Sequence, residues 1–518
     1  MIQLSESCII DEYGKPIKRP RPNVRKDLAQ AFADTRPKRQ VAKYDAAQDS
    51  DEYKNYWAPA DELDADSANS FAVRQTLVKR SRYDVGNNGF SDGIASTYAT
   101  DLIGRGPTLR MQTGSEGFNR MVELAWHYWC KEVQFRRKLW TIAHAKHVDG
   151  EGIGVMRINR KLKNRVKFDW VLHETEQCQT PYMAYGKPGE IDGIQFDEFG
   201  NPEFYDILKH HPGSNMNGLN YLQIPESIEA KYVTHWFKLR RPGQHRGIPE
   251  CSSTLNLGAS SRRWREATVA AAENIADFSI FIKTMFEPDE MDSVVPMSTL
   301  DIQKRMITAL PAGYDAFQPK AEQPTAGHAE FSKTLINEQA RPKSMPYNKA
   351  ACDSSSYNYA SGRLDHQTYY GHLNVDRDDC DDCVLDPMFA VWFDQAVMVY
   401  GWLGGNPDAI SDVARAHLWD WPKHQAADIG SEADAADKKL KNGTSSIAAE
   451  FVASGMDPED ELIKTAESNG VTVDQQRQIN MLQNLPQHVI PYVAQILGIT
   501  KPSTQPATAE PQGALANG

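Results

Sequence analysis

The sequence predicts an α+β fold, and three observations carry that expectation. Short apolar segments recur between residues 154 and 236, separated by Gly, Asn and Pro turns. The run 252–283 contains one Gly and no Pro, and holds Ala270-Ala271-Ala272 among other strong helix formers. A second long helical pattern covers 357–403. A strand series completed before the long helices begin is the α+β order.

Residues 1–45 carry Lys15, Lys18, Arg19, Arg21, Arg25, Lys26, Arg36, Lys38 and Arg39 with few large apolar groups, the composition of a basic flexible arm. It is either a solvated tail or an arm that contacts DNA or a neighbouring subunit. Residues 65–104 read as helix around a turn at Gly86-Asn87-Asn88-Gly89, and 117–148 as one long amphipathic helical pattern. Strands are expected at 154–158, 166–172, 193–196, 204–208 and 232–236. Gly150-Glu151-Gly152-Ile153-Gly154 lacks the spacing and the following helix of a dinucleotide loop, so it reads as a tight turn into a strand.

Pro242-Gly243 is turn chemistry, and Gly247 and Pro249 punctuate the approach to the helix at 252–283. Trp264, Val269, Ala272, Ile275, Ala276 and Ile280 fall on one stripe of that helix. At about 1.5 Å per residue, about 30 residues span about 45 Å, a length suited to packing beside copies of itself. Pro-rich breaks then mark a small α/β excursion, helix returns at 328–342, and 344–356 is a polar loop. Beyond residue 423, three or four short helices are separated by Asn442-Gly443, Ser454-Gly455 and Asn469-Gly470, and 501–518 reads as a disordered tail.

With 518 residues the chain has room for two to four domains. No signal peptide opens it, and no window approaches the roughly 18 uninterrupted apolar residues of a membrane helix, so it is expected in the cytoplasm of the cell that makes it. The seven scattered cysteines read as reduced thiols, and Cys380-x-x-Cys383 is half of a zinc site at best. Net charge is −12, from 57 basic and 69 acidic side chains, which disfavours a protein that grips DNA by its phosphates and is compatible with an acidic-walled conduit.

Catalytic motifs are missing: there is no phosphate-binding G-x-x-x-x-G-K-[ST] and no G-x-S-x-G elbow. His144-x-x-His147 and His210-His211 lack the spacing of a metalloprotease pair. The densest acidic run is Asp376-Arg377-Asp378-Asp379-Cys380-Asp381-Asp382. On a helix such neighbours point in different directions, so a solvated face is expected, or an acidic patch facing a tunnel or an interface. The rival is a metal-dependent nucleic-acid enzyme that uses the Asp376–Asp382 carboxylates with Mg²⁺. No catalytic residue, metal or cofactor is assigned.

Arg240, Arg241, Gln244 and Arg246 sit where the turns fix their direction, just before the long helix. They form either a solvated basic turn or a structural clamp, in which the planar Arg246 fork binds carbonyls or a carboxylate.

Several stretches in register, over roughly residues 40–475, resemble one family. They are Arg80-Ser81-Arg82 with Asn87-Asn88 and Gly104-Arg105-Gly106, then Asp192-Gly193 with Gly200-Asn201-Pro202, then Arg241-Pro242-Gly243-Gln244-His245-Arg246-Gly247-Ile248-Pro249 before an Ala-rich helix. Ser354-Ser355-Ser356-Tyr357-Asn358-Tyr359 and the closing Trp421-Pro422, Asn442-Gly443-Thr444 and Gly455-Met456-Asp457-Pro458 continue the series. Together they are similar to the lambda-like portal proteins of tailed bacteriophages. The resemblance implies a portal fold: an α+β wing at 46–249, a stem helix at 250–285, a clip at 286–326, a returning stem helix at 327–343, a tunnel loop at 344–356, a long spine helix at 357–403 and a helical crown at 404–500.

It further implies a ring at one capsid vertex of the virion, assembled in the host cytoplasm, that conducts double-stranded DNA during packaging and ejection. The implied partners are other copies of the chain, twelve in the family's usual ring, the terminase large subunit, major capsid and scaffold proteins, a head-completion or tail adaptor, and duplex DNA without sequence specificity; no membrane is implied. Lys343, Tyr347, Asn348 and Lys349 are the expected DNA-channel residues, able to touch phosphates without reading bases. Twelve helices about 10 Å apart give a circumference of about 120 Å and an axis diameter of about 38 Å. Subtracting one helix width of about 10 Å leaves about 28 Å, enough for a duplex of roughly 20 Å.

Overall fold

The computed structural model describes residues 55–180, 189–215, 224–277, 281–284, 314–317, 327–355, 357–423, 429–453, 456 and 458–483. The expected basic arm, the expected tail and all of the expected clip except 314–317 lie outside these residues. The chain divides into two units, 1–63 and 64–518. The described part of the first forms turns in which the Tyr56 and Trp57 rings meet edge-on at 5.0 Å.

The second unit is α+β. Helices α1 (Phe71–Asn87) and α2 (Gly89–Ile103) meet at Asn88, whose side chain accepts from Phe90 N and caps α2. Strand β1 (Thr108–Met111) follows. The amphipathic pattern at 117–148 is two helices, α3 (Glu116–Glu132) and α4 (Phe135–Val148), because Gln134 takes a left-handed φ of 54° that ends one helix and redirects the next.

The strands come next: β2 (Glu151–Ile158), β3 (Phe168–His173), β4 (Glu190–Ile191), β5 (Ile194–Phe196), β6 (Pro202–Ile207), β7 (Glu226–Glu229) and β8 (Val233–Phe237). They form two antiparallel sheets, in the orders β3-β2-β8 and β4-β5-β6-β7. Ile153 and Val155 of β2 pack with Ile194, Tyr205, Ile207 and Val233. On its other face, Gly152 and Gly154 lie against Ile142 and Trp170, where a Cβ would collide, and Met156 joins the main core.

Helix α5 (Leu255–Asp277) has 23 residues, about 35 Å at about 1.5 Å per residue, and is shorter than the run 252–283 predicts. Phe281–Thr284 is instead a strand, β9, paired antiparallel with β10 (Tyr314–Phe317). The aromatic and β-branched side chains of that stretch suit a pleated strand better than a helix. Helix α6 (His328–Ala340) packs back on α5, with Trp264 stacked on His328 at 4.5 Å and edge-on to Phe331 at 5.1 Å. Within the expected loop at 344–356, Tyr347–Ala350 makes one helical turn, α7.

Helix α8 (Tyr359–Cys380), a π-helical turn at Asp381–Leu385 and α9 (Asp386–Tyr400) run on as one rod. Pro387 explains the wide turn: its nitrogen cannot donate to the carbonyl four residues back and its ring would strike it, so the preceding turn opens. By length and composition the rod is apolar enough to cross a membrane, although Asp386 and Asp394 interrupt its apolar part, as the sequence leads one to expect. Its Leu373, Val384, Leu385, Met388, Phe389, Trp392 and Phe393 supply the central core, which accounts for that apolarity.

Trp126 of α3 lies 4.8 Å from Trp129, 5.0 Å from Trp392 and 5.8 Å from Phe389, centroid to centroid. A spacing of three on both helices places these rings on facing stripes. Strand β11 (His417–Asp420) pairs antiparallel with β1, so residues expected to open the crown are woven into the N-terminal half. Four short helices follow: α10 (Ile429–Lys441), α11 (Ile447–Ala453), α12 (Pro458–Asn469) and α13 (Val473–Gln483).

Candidate functional site: a buried ionic junction

The segment before α5 lies against the start of β2 because two glycines let the backbones touch. A Cβ at Gly150 (φ 91°) would strike the backbone of Ile248 and Pro249, and one at Gly247 would strike Gly150. This contact brings Arg246 over Glu151, the first residue of β2, with both side chains buried. Arg246 Nε donates to both Glu151 oxygens at 3.1 Å, Nη1 donates to the carbonyls of Cys178 (3.0 Å) and Asp192, and Nη2 donates to the carbonyl of Thr175 at 3.2 Å. His235 on β8 sits diagonally across the sheet, its Nε2 3.0 Å from Glu151 Oε2. Burial opposes ionisation of Glu151, but the Arg246 charge and the His235 hydrogen bond hold its carboxyl well below the usual carboxylate range.

Of the four residues proposed as a clamp, two are buried here. Gln244 donates to the Arg246 carbonyl at 2.9 Å and accepts from Arg240 N at 3.0 Å, closing the turn on itself. Arg240 and Arg241 are exposed, although Arg240 Nη2 reaches the Glu250 carbonyl at 3.3 Å. Asn69 and Arg74, at the start of the second unit, complete the surround: Asn69 Nδ2 donates to the Arg246 carbonyl at 3.1 Å, and Arg74 pairs with Asp192 at 2.6 Å.

A second cluster adjoins the first. Four buried charged residues, Lys146, Glu250, Lys343 and Asp376, come from α4, the segment before α5, the turn after α6, and α8. Lys146 Nζ lies 3.0 Å from Asp376 and 3.4 Å from Glu250; Lys343 pairs with Glu250 and lies 3.6 Å from Asp376. Tyr98 OH donates to Asp376 at 2.6 Å, and Lys343 Nζ stands 3.4 Å above the centre of the Tyr98 ring. Two ammonium and two carboxylate groups balance, which is how buried charge is tolerated. Burial brings Lys343 down to about 8 against the pull of Glu250 and Asp376. Burial likewise pushes His147 beside it down to about 3, so that imidazole is neutral.

These contacts correct one member of the expected channel set, Lys343. Lys343 does not face a passage; the 3-10 turn Arg341–Lys343 and the left-handed Ser344 (φ 52°) direct it inward. Lys349 pairs with Asp101 at 2.8 Å, Asn348 Nδ2 lies 2.9 Å from His366 Nε2, and the Tyr347 ring carries Lys333 Nζ 5.1 Å above it. Sequence reasoning missed Lys146, Glu151 and Glu250, whose ion-pair partners lie 84 to 230 positions away and leave no local pattern.

The acidic run does not converge. Asp376 joins the junction, Asp379 accepts from Trp236 Nε1 at 2.7 Å, Asp381 accepts from Trp421 Nε1 at 2.9 Å, and Asp378 and Asp382 are exposed. Burial raises Asp381 to about 7. Cys380 is buried, and Cys383 Sγ lies 3.8 Å from Asp379. Glu174, Glu176 and His211 do cluster within metal-ligand distance, but Arg82 occupies them, with Nη1 at 3.1 Å from Glu174 and 2.9 Å from Glu176. The junction as a whole holds five segments of chain together; its charges are spent on one another.

Several known proteins are similar to this chain. "Probable portal protein" of Halomonas phage phiHAP-1 is 23% identical over 421 residues, covering 74% of this chain and 78% of that protein. Among solved structures, a chain from the neck of a native gene transfer agent particle, computed with C12 symmetry, is 14% identical with a TM-score of 0.41, covering 74% of this chain and 94% of its own. An HK97 family phage portal protein from Corynebacterium diphtheriae is 11% identical with a TM-score of 0.24, covering 66% of this chain and 98% of its own. The family described as "Phage portal protein, lambda family", whose members are structural proteins and not enzymes, matches residues 53–374. That match takes in well over half of the 518 residues, including every member of the ionic junction except Asp376, and the chain therefore belongs to the lambda family of phage portal proteins.

Proposed function

We propose that this portal protein assembles as a closed ring of twelve copies at one capsid vertex, passes double-stranded DNA during packaging and ejection, and docks the terminase large subunit and later a head-completion or tail adaptor. The family match over 53–374 carries the reading. In it, residues 46–249 form the wing, α5 and α6 the stem, 286–326 the clip, 344–356 the tunnel loop, 357–403 the spine and 404–500 the crown. Major capsid and scaffold proteins surround the ring, DNA is held without sequence preference, and the ring becomes part of the virion after assembly in the host cytoplasm.

The ionic junction supports a mechanical version of this role. Glu250 precedes α5 and Lys343 follows α6, so both ends of the helix pair are tied to α4 and α8 by paired charges. A pair of helices anchored at its base in this way transmits load from whatever docks at its far end to the body of the protein. In that setting Arg246 acts as the clamp between wing and stem, and Tyr347, Asn348 and Lys349 remain the proposed channel residues.

Replacing 286–326 by a short flexible linker tests the docking assignment. Ring assembly should survive and terminase should no longer be retained in a pull-down. Retention at the wild-type level would remove the excursion from motor docking.

A further inference from the structure

Two patches on the described surface match each other in charge and in apolar content. The first is a cavity of about 600 Å³ where the ends of α2 and α3 meet the start of α4, lined by Ile103, Lys131, Phe135, Arg136, Arg137 and Trp140 among others. Lys131 and Arg136 have no ion-pair partner among the described residues, and the Arg137 guanidinium reaches only Gln134 Oε1 at 3.5 Å. Three cationic residues thus line a cavity with an apolar floor, with no carboxylate in the lining to balance them.

The second patch lies toward the other end of α3, where Trp402 meets Phe118 edge-on at 6.0 Å. The chain that follows presents Leu403 and Val413 at 50% and 72% exposure. Between them Asp408 and Asp412 are exposed and have no ion-pair partner among the described residues. From Phe118 to Lys131 the helix runs about 20 Å at about 1.5 Å per residue, and among the described residues no ion pair joins the two patches within one copy.

We propose that these patches meet head to tail between neighbouring copies, Asp408 and Asp412 of one copy pairing with Lys131, Arg136 and Arg137 of the next while Leu403 or Val413 enters the cavity over Phe135 and Trp140. Arginine forks suit carboxylates in planar, two-point contacts. A phosphate backbone would satisfy the cations but bring nothing to the apolar floor. Because the two patches differ, the contact is heterologous, the class that closes into a ring or continues as a filament. The inference rests on the ring reading and names the surfaces that make it.

Charge exchange tests it on the full-length chain. Arg136→Glu with Arg137→Glu, and separately Asp408→Lys with Asp412→Lys, should each lower the ring fraction in native mass spectrometry by at least about tenfold, since attraction becomes repulsion at every junction. Combining all four substitutions should restore rings, and mixing the two reversed proteins should give assemblies in which the two alternate, even where neither assembles alone. An unchanged ring fraction in either reversed variant, or no recovery in the combined one, overturns the contact. So does a cavity variant that assembles normally but loses binding of a DNA duplex, which would assign the cavity to nucleic acid. If the wild type forms open chains instead of rings, the ring reading fails while the pairing of reversed variants still reads the contact. Arg136→Gln with Arg137→Gln, a milder change on exposed side chains, should lie between wild type and reversal; wild-type behaviour there counts against the proposal.

Discussion

The Arg246 guanidinium and the Glu151 carboxylate, 95 positions apart, are both buried and share two hydrogen bonds from Nε at 3.1 Å. The pair joins the segment before α5 to the first residue of β2; Arg246 Nη2 also donates to Glu151 Oε1, and the carbonyls of Thr175, Cys178 and Asp192 take the other donors. Its net gain over an apolar filling is small, but removing one partner strands a charge in the interior. The pair therefore fixes geometry more than it adds stability.

Arg246→Ala should destabilise the fold by about 3–5 kcal/mol, the usual cost of breaking a buried ion pair on one side. Arg246→Lys keeps the charge but loses the planar fork, so it should weaken folding and ring yield nearly as much. Thermal melting and ring counts of the two variants check this. A normal melt and normal rings in Arg246→Ala would end the clamp reading.

The Lys343 ammonium gives the junction a pH signature. Its folded pKa is about 8 against an ordinary 10.5, so between those values the unfolded chain binds more protons than the folded one. Stability contributed by this group therefore rises with pH across that window, and the penalty is fully present below about 8. Denaturant unfolding across the window should show the rise in wild type and lose it in Lys343→Met combined with Glu250→Gln. An identical slope in both proteins would place the titration elsewhere.

The aromatic core makes a separate claim on stability. Trp392 is fully buried and meets Trp126 at 5.0 Å in a near-perpendicular arrangement. Trp392→Ala should cost about 3–5 kcal/mol, with a lower denaturant midpoint and an unchanged slope. A shift below about 1 kcal/mol would show that the surrounding rings collapse into the space.

Lys349 separates two roles. Its ion pair with Asp101, at 2.8 Å, makes Lys349→Glu a like-charge clash inside the subunit. If the lysine serves only that pair, adding Asp101→Lys should restore both melting temperature and packaged DNA. If it touches DNA, the double variant should melt normally and still package poorly. Packaging assays on the three proteins decide between these.

The elements that rest on periodicity were legible in the sequence. Five strands, the rod at 357–403 and the short helices after 423 all fall close to their expected places, because burial on one face leaves a repeat of two or of three to four residues. Boundaries set by a single backbone angle were not: the left-handed Gln134 split one expected helix into two. Nor was the strand Phe281–Thr284 visible behind an apolar run that suits either state, or β11, whose partner β1 lies some three hundred positions earlier in the chain. At the site, the turn around Arg246 was readable from Pro242, Gly243 and Gly247, but its partner Glu151 was not. Lys343 illustrates the limit, since a lysine after a helix looks solvent-bound until Glu250 and Asp376 arrive from elsewhere in the chain.

Electron microscopy of the purified full-length chain tests the central claim most directly. The account predicts closed rings of one size with a central opening wider than the roughly 20 Å of a DNA duplex, given helices packed at about 10 Å spacing. Uniform monomers, or filaments and small oligomers without an opening, would contradict it.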